Sequence, residues 1–294
     1  MSTSANLNGE PASTYFVQDR SNKDELHRVR LQDQMFTRGM GGTLSEQQDP
    51  TIFTSVLDIG CGTGGWLLEV AKTYPTISLL TGIDISGKML AYARKEAESQ
   101  KLADRVRFYQ MDALQTLDFP NAHFDLVNQR SGGSYLRTWD WPKLLEEILR
   151  VMRPGGTIRL TEVEEPIEST SDALTTLDHL FFQVLYQAGH FFASSPTGLI
   201  DKAAYILNQY GTQDIQTRVH TLQYRAGTAE GRHFIEDMKL IHQTLTPFLS
   251  RWTRLPADHQ ETYQQMLKDF QQPDFLANWK LVTLWCHKAY EKNA

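Results

Sequence analysis

The stretch Val56-Leu57-Asp58-Ile59-Gly60-Cys61-Gly62-Thr63-Gly64-Gly65 constrains this chain more than any other. A short apolar run ends in glycines and resumes as Trp66-Leu67-Leu68-Glu69-Val70-Ala71, which predicts a buried strand, a tight loop and the first turn of a helix. Glycine suits a backbone that must turn with positive φ and let a ligand approach closely. The helix start beyond it offers unpaired N–H groups and the positive end of a dipole. In an α/β sheet such a loop builds a nucleotide-type site at the carboxyl ends of the strands.

The glycines alone leave the ligand open. Gly60, Gly62 and Gly65 satisfy the dinucleotide pattern G-x-G-x-x-G, whereas Gly60, Gly62 and Gly64 satisfy G-x-G-x-G. Acidic residues narrow the choice. Asp58 precedes the first glycine by two positions and can face a cationic ligand group. Asp84 ends a second strand-like run, Leu79–Asp84, where a carboxylate can accept both hydroxyls of a ribose. A third run, Val106–Asp112, ends in another acid, followed by Ala113.

Together these residues resemble the class I S-adenosylmethionine-dependent methyltransferases. The resemblance rests on Leu57–Gly64, Gly82-Ile83-Asp84-Ile85-Ser86, Met111-Asp112-Ala113, Phe124-Asp125-Leu126-Val127 and Leu149–Thr157, in order, and covers roughly Thr51 to Glu164. It implies a Rossmann-like α/β fold: a seven-stranded, mostly parallel sheet with helices on both faces and an antiparallel last strand. It also implies S-adenosylmethionine as cofactor and S-adenosylhomocysteine as product. The cofactor contacts it suggests are Asp58, Gly60, Cys61, Gly62 and Gly64 in the first loop, and Asp84, Ile85 and Met89 after the second strand. Asp112 and Ala113 would meet the adenine, Asn128 and Gln129 would follow strand four, and Tyr15 would approach from the N-terminal side. Each has a plainer alternative: glycines serving only the turn, Asp112 a solvated strand end, Ile85, Met89 and Tyr15 ordinary packing residues.

Composition bounds the rest. With 294 residues, 40% of them hydrophobic, the chain is long enough for one large α/β domain plus an accessory region. Its 29 basic and 35 acidic side chains give a net charge of −6 without a basic run, so no nucleic-acid partner is expected. Cys61 and Cys286 are the only cysteines, an unpromising framework for disulfides or zinc, and point to a reducing, cytoplasmic setting. No membrane-length apolar run and no secretory signal is visible, so no membrane partner is expected. A monomer or homodimer is expected.

In chain order, residues 1–13 read as a disordered polar tail, and 14–50 as an N-terminal helical cap segment opening with Tyr15-Phe16 and a helix capped by Ser21. The cofactor-binding core spans 51–165. Residues 166–294 complete the sheet, with helical cap insertions at 166–197 and 226–278. Strands are expected at about 124–128, 157–163, 215–224 and 279–288, with a turn at Arg153-Pro154-Gly155-Gly156.

For catalysis the candidates are His190, Glu162 and Arg130: His190 first as a general base, with Glu162 and His179 behind it, and Arg130 to hold an acidic substrate or pair with a surface acid. The Asn/Asp-Pro-Pro-aromatic motif of amide and nucleobase amine methylation is missing after strand four, and no carboxylate cluster suggests a metal. Phe181, Phe182, Tyr186, Phe191 and Phe192 can line an apolar pocket or pack as core. The expected reaction is in-line methyl transfer to a small organic acceptor, most readily at oxygen, in an enclosed pocket. The alternatives are a protein or RNA methyltransferase, a non-catalytic S-adenosylmethionine-binding regulator and, less favoured, an NAD-dependent oxidoreductase.

Overall fold

The computed structural model describes residues 14–17 and 23–290. The tail at 1–13 and the cap expected at Ser21 lie outside the described residues. Helix α1 (Lys23–Gly39) precedes strand β1 (Ser55–Ile59), and helices α2 (Gly65–Thr73) and α3 (Gly87–Ser99) flank β2 (Leu79–Asp84). Next come β3 (Val106–Gln110), β4 (Phe124–Arg130), α4 (Trp141–Val151) and β5 (Met152–Val163). The chain continues through β6 (Glu168–Ser169), α5 (Asp172–Gln187), α6 (Leu199–Gln209) and β7 (Gln213–Arg225). It ends in α7 (Ala229–Trp252), α8 (His259–Asp269) and β8 (Leu276–His287).

The strands form one sheet in the order β3-β2-β1-β4-β5-β8, with β7 on the far edge of β8. The first five are parallel, and β8 enters antiparallel between β5 and β7. Seven strands were expected; the eighth is the two-residue β6, which continues the line of β5 along the same edge of β8. Every residue of β1 is buried, as a central strand covered on both faces requires. Because β1 starts the sheet's reversal of direction, with β2 on one side and β4 on the other, a crevice opens at its carboxyl end.

Local chemistry sets the element ends. The Ser86 hydroxyl caps α3 by accepting the Met89 N–H, and Pro142 occupies the first turn of α4. The expected turn at 153–156 is instead part of β5, which starts at Met152 and shifts register against β4 before Thr157. The irregularity survives because Gly155 takes φ +76° and donates its N–H to Lys288. Strand β4 also runs past its expected end at Asn128 to Arg130, which changes which side chains emerge at the site.

Helix α1 packs on α7, and α5 packs on α7 and α8. Their buried side chains, such as Leu31, Phe182 and Leu245, share one apolar cluster with Val127, Ile158 and Leu160 of the sheet. The helices are therefore fused to the sheet through a common core. Among the described residues no helix is long and apolar enough to cross a membrane.

Candidate active site

The loop after β1 is held from both sides. Cys61 donates its N–H to the Ile83 carbonyl, and Gly64 donates to the Cys61 carbonyl. Asp84, at the end of β2, accepts the Gly62 N–H at 2.9 Å on one oxygen and the Ser86 N–H at 2.8 Å on the other. Gly60, Gly62 and Gly64 all have positive φ. At Gly60 a Cβ would lie 2.7 Å from the Tyr135 hydroxyl, so here glycine meets both a backbone and a space requirement.

Around this loop lies a crevice of about 360 Å³, within the usual range for a small-molecule site. Among the expected contacts, Tyr15, Asp58, Gly60, Cys61, Gly62, Asp84, Ile85, Met89, Asp112 and Ala113 line it, as does Arg130. Asp112 turns its own loop by accepting the Leu114 N–H. Gly64, Asn128 and Gln129 do not line the crevice. Gly64 lies behind the loop, where a Cβ would strike Phe108. Asn128 and Gln129 are fully buried within β4, because that strand continues two residues further and delivers Arg130 and Ser131 to the opening instead.

Asn128 has a different task. Asp58, Asn128 and Arg159 are register partners on β1, β4 and β5, forming a polar row across the buried sheet. The Asn128 amide donates to Asp58 at 2.7 Å, and Arg159 donates to the Asn128 carbonyl oxygen at 2.8 Å. Arg159 also donates to both Glu46 oxygens, and the face of Trp66 lies 5.9 Å from its guanidinium carbon. This chain fixes the Asp58 carboxyl. Burial raises it to about 7, against the opposing pull of the Asn128 hydrogen bond and the Arg159 charge.

A second cavity of about 100 Å³ shares Tyr15, Arg28, Gln32, Phe36, Ser131 and Ser134 with the first. Phe181, Phe182 and Phe191 line it, whereas Tyr186 is exposed and Phe192 only half-buried outside it. Glu162 reaches this cavity, but both its oxygens accept backbone N–H groups, from Gly132 at 2.6 Å and Gly133 at 3.0 Å. Burial nonetheless pushes its carboxyl up to about 8. Its evident work is to clamp the turn that separates the two cavities.

The remaining catalytic candidates are placed less favourably. His190 is fully buried, lines neither cavity and packs edge-on to Phe248. Burial holds its imidazole down to about 3, so it is neutral and has no route to a substrate in either space. His179 is exposed on α5. Arg130 is neither on the surface nor free for an acidic substrate: it is ion-paired with Asp33 and donates to Thr37 on α1. Among the described residues no group of three or more His, Cys, Asp or Glu side chains could hold a metal ion.

Sequence reasoning missed Arg28, Gln32 and Asp33 on α1; Ser131, Ser134 and Tyr135 line the crevice too, and belong to the segment after strand four where the sequence places the emerging methyl group. Arg28 donates to Glu25, to the Tyr15 hydroxyl and to Asp237 of α7, while the Tyr15 hydroxyl donates to Glu25. A signal was available: Arg28 and Gln32 fall on the apolar stripe of Leu31 and Met35, where an unpaired charge is not tolerated.

The site can be tested for fit to a cationic nucleoside. The crevice has an acid at either side of its glycine loop, apolar Ile85 and Met89 along one wall, and a backbone at Gly60 that a Cβ would crowd. These are the groups that would meet an ammonium or sulfonium, a ribose and a planar base.

Comparison with known proteins agrees. The family model described as a methyltransferase domain matches residues 56–156. A demethylmenaquinone methyltransferase from Porphyromonas gingivalis is 33% identical over 114 residues, which is 38% of this chain and 45% of that protein. The chain thus spans about half the length of the curated relatives it matches. A phosphoethanolamine N-methyltransferase from Haemonchus contortus superposes with a TM-score of 0.58 at 19% identity, covering 93% of this chain and 59% of that one. The YcgJ protein of Bacillus subtilis gives 0.53 at 18%, covering 86% and 98%. At such identities the structural likeness establishes the fold. Residues 56–156 thus match a methyltransferase domain, and the sheet built on them has the fold of these two structures.

Proposed function

We propose that the chain moves a methyl group from S-adenosylmethionine to a small, largely apolar organic acceptor bound in the second cavity. One observation carries this reading: the glycine-loop crevice shares walls with an adjoining smaller space lined mainly by Phe, Leu, Ile, Met and Trp side chains. An adjoining apolar pocket is what a small acceptor needs. The quinone in the name of the Porphyromonas relative is a molecule of that character. Oxygen remains the preferred acceptor atom in this proposal.

The cofactor would supply an already activated methyl group, so the protein's part is positioning and exclusion of water. Asp84 would hold the ribose, Asp58 the ammonium end, and Asp112 with Ala113 the adenine. Arg130 and Glu162 would act by fixing α1 and the 131–135 turn around the reacting centre. Helices α1, α5, α7 and α8 would form the cap that closes the acceptor space.

Calorimetry with S-adenosylmethionine and with NAD, followed by transfer of labelled methyl to a panel of single-ring phenols and hydroquinones, tests the reading. Micromolar binding of the first alone, and label in a small acceptor, is the expected outcome. Binding of NAD in its place, or label appearing only in added protein or RNA, would overturn it.

A further inference from the structure

The second cavity holds a carboxyl group that neither the family resemblance nor the cofactor accounts for. Asp178 lies on α5 and lines this cavity, yet its residue is only 7% exposed. One oxygen accepts the Ile167 N–H at 2.6 Å. That single bond ties α5 to the segment leaving β5 and leaves the carboxyl's other oxygen for a partner. Around it are Phe181, Phe182 and Leu185 of the same helix, so the group stands in an otherwise apolar wall. A buried carboxyl with an unused acceptor costs stability unless something donates to it.

The charge of the cavity points the same way. Arg28 is the one lysine or arginine among the described residues that line it, and its nitrogens go to Glu25, Tyr15 and Asp237. His242, also on the wall, is kept neutral by burial, which pushes it down to about 4. Glu162 has both oxygens on backbone N–H groups. The cavity therefore offers no spare cation to a carboxylate or phosphate, and one carboxyl to a hydrogen-bond donor.

Accepting that the acceptor occupies this cavity, we infer that Asp178 selects it by accepting a hydrogen bond from its hydroxyl or amine, and that the acceptor is an apolar molecule without a negative charge. Asp178 is thus a specificity-determining residue. Burial lifts its carboxyl to about 7, and a hydrogen bond donated by the acceptor favours the ionised form and opposes that rise.

The test uses the full chain loaded with S-adenosylhomocysteine and three probes of similar size: para-cresol, its methyl ether and para-toluate. Binding is read by NMR titration or by fluorescence of the tryptophans, of which Trp279 lines the cavity. The wild-type protein is expected to favour para-cresol over the ether by about tenfold, and to bind para-toluate more weakly than either. In Asp178→Leu that preference disappears. In Asp178→Asn, where the carbonyl oxygen keeps the Ile167 contact and an NH₂ faces the cavity, it disappears or turns toward the ether. Both variants should retain wild-type affinity for S-adenosylhomocysteine, which certifies the fold independently of the acceptor. Equal binding of cresol and ether by the wild-type protein, or a preference that survives both substitutions, overturns the role of Asp178 alone. Tight binding of para-toluate overturns the charge argument. Failure of all three probes to bind while S-adenosylhomocysteine does removes the acceptor cavity itself, and with it this inference.

Discussion

Asp58 should make cofactor affinity depend on pH in a range where carboxylates ordinarily do not titrate. Its carboxyl sits at about 7 in the unliganded protein because burial outweighs the help of Asn128 and Arg159. A cationic ligand beside it favours the ionised form and lowers that value, so affinity rises with pH until the free protein is ionised. At about pH 6 roughly one molecule in eleven is ionised, and at about pH 7.5 roughly three in four, giving an eightfold gain, about 1.2 kcal/mol. Below about pH 7.5 the ligand's own amino group stays mostly charged. Calorimetric titration of S-adenosylhomocysteine across this window measures the gain. Asp58→Asn keeps the bond from Asn128 but removes the titration, so its profile should be flat and its affinity at about pH 7.5 lower. Stability moves the opposite way. The folded value lies above the ordinary 3.8, so the contribution is fully present below that ordinary value and is lost as pH rises through about 7. At about pH 8 the ligand-free Asp58→Asn protein should therefore be the more stable, by up to about 4 kcal/mol. A flat wild-type affinity profile, or an Asp58→Asn protein less stable at that pH, refutes the reasoning.

Two further substitutions probe neighbouring parts of the site. Asp84→Ala removes the proposed ribose partner and the acceptor for the Gly62 and Ser86 N–H groups, and should weaken S-adenosylhomocysteine binding by about 1–3 kcal/mol; unchanged calorimetric affinity would contradict the assignment. Arg159→Leu leaves Glu46 buried without its partner and should cost about 3–5 kcal/mol in urea unfolding, most of it recovered when Glu46→Leu is added; a single variant within about 1 kcal/mol of wild type would show that the polar row is not structural.

What could be read before folding divides along physical lines. The loop of Gly60 to Gly64 and the acids Asp58, Asp84 and Asp112 were legible because the chain adjoining each strand end determines its local geometry, and all line the crevice but Gly64. Asn128 and Gln129 were placed at the opening because β4 was read two residues short, an error no larger than the usual uncertainty of an element's end. Two residues, at about 3.3 Å each, separate the covered interior of β4 from its open end. His190 looked like a base because aromatic neighbours are common to pockets and to cores, and the structure places it in a core.

The motifs along the chain thus determined the order of strands and helices and the glycine loop, since these rest on local geometry, and the resemblance they carry implied the mostly parallel sheet and the cofactor. Only the tertiary structure brought Glu46, Asp58, Asn128 and Arg159 into one buried row, or set Arg28 against Asp237 across 209 positions. Such pairs are chosen by which distant charges must share one desolvated space, and periodicity carries no record of that. The second cavity belongs with them: α1, α5 and α7 each supply one wall, and none alone contains a pocket.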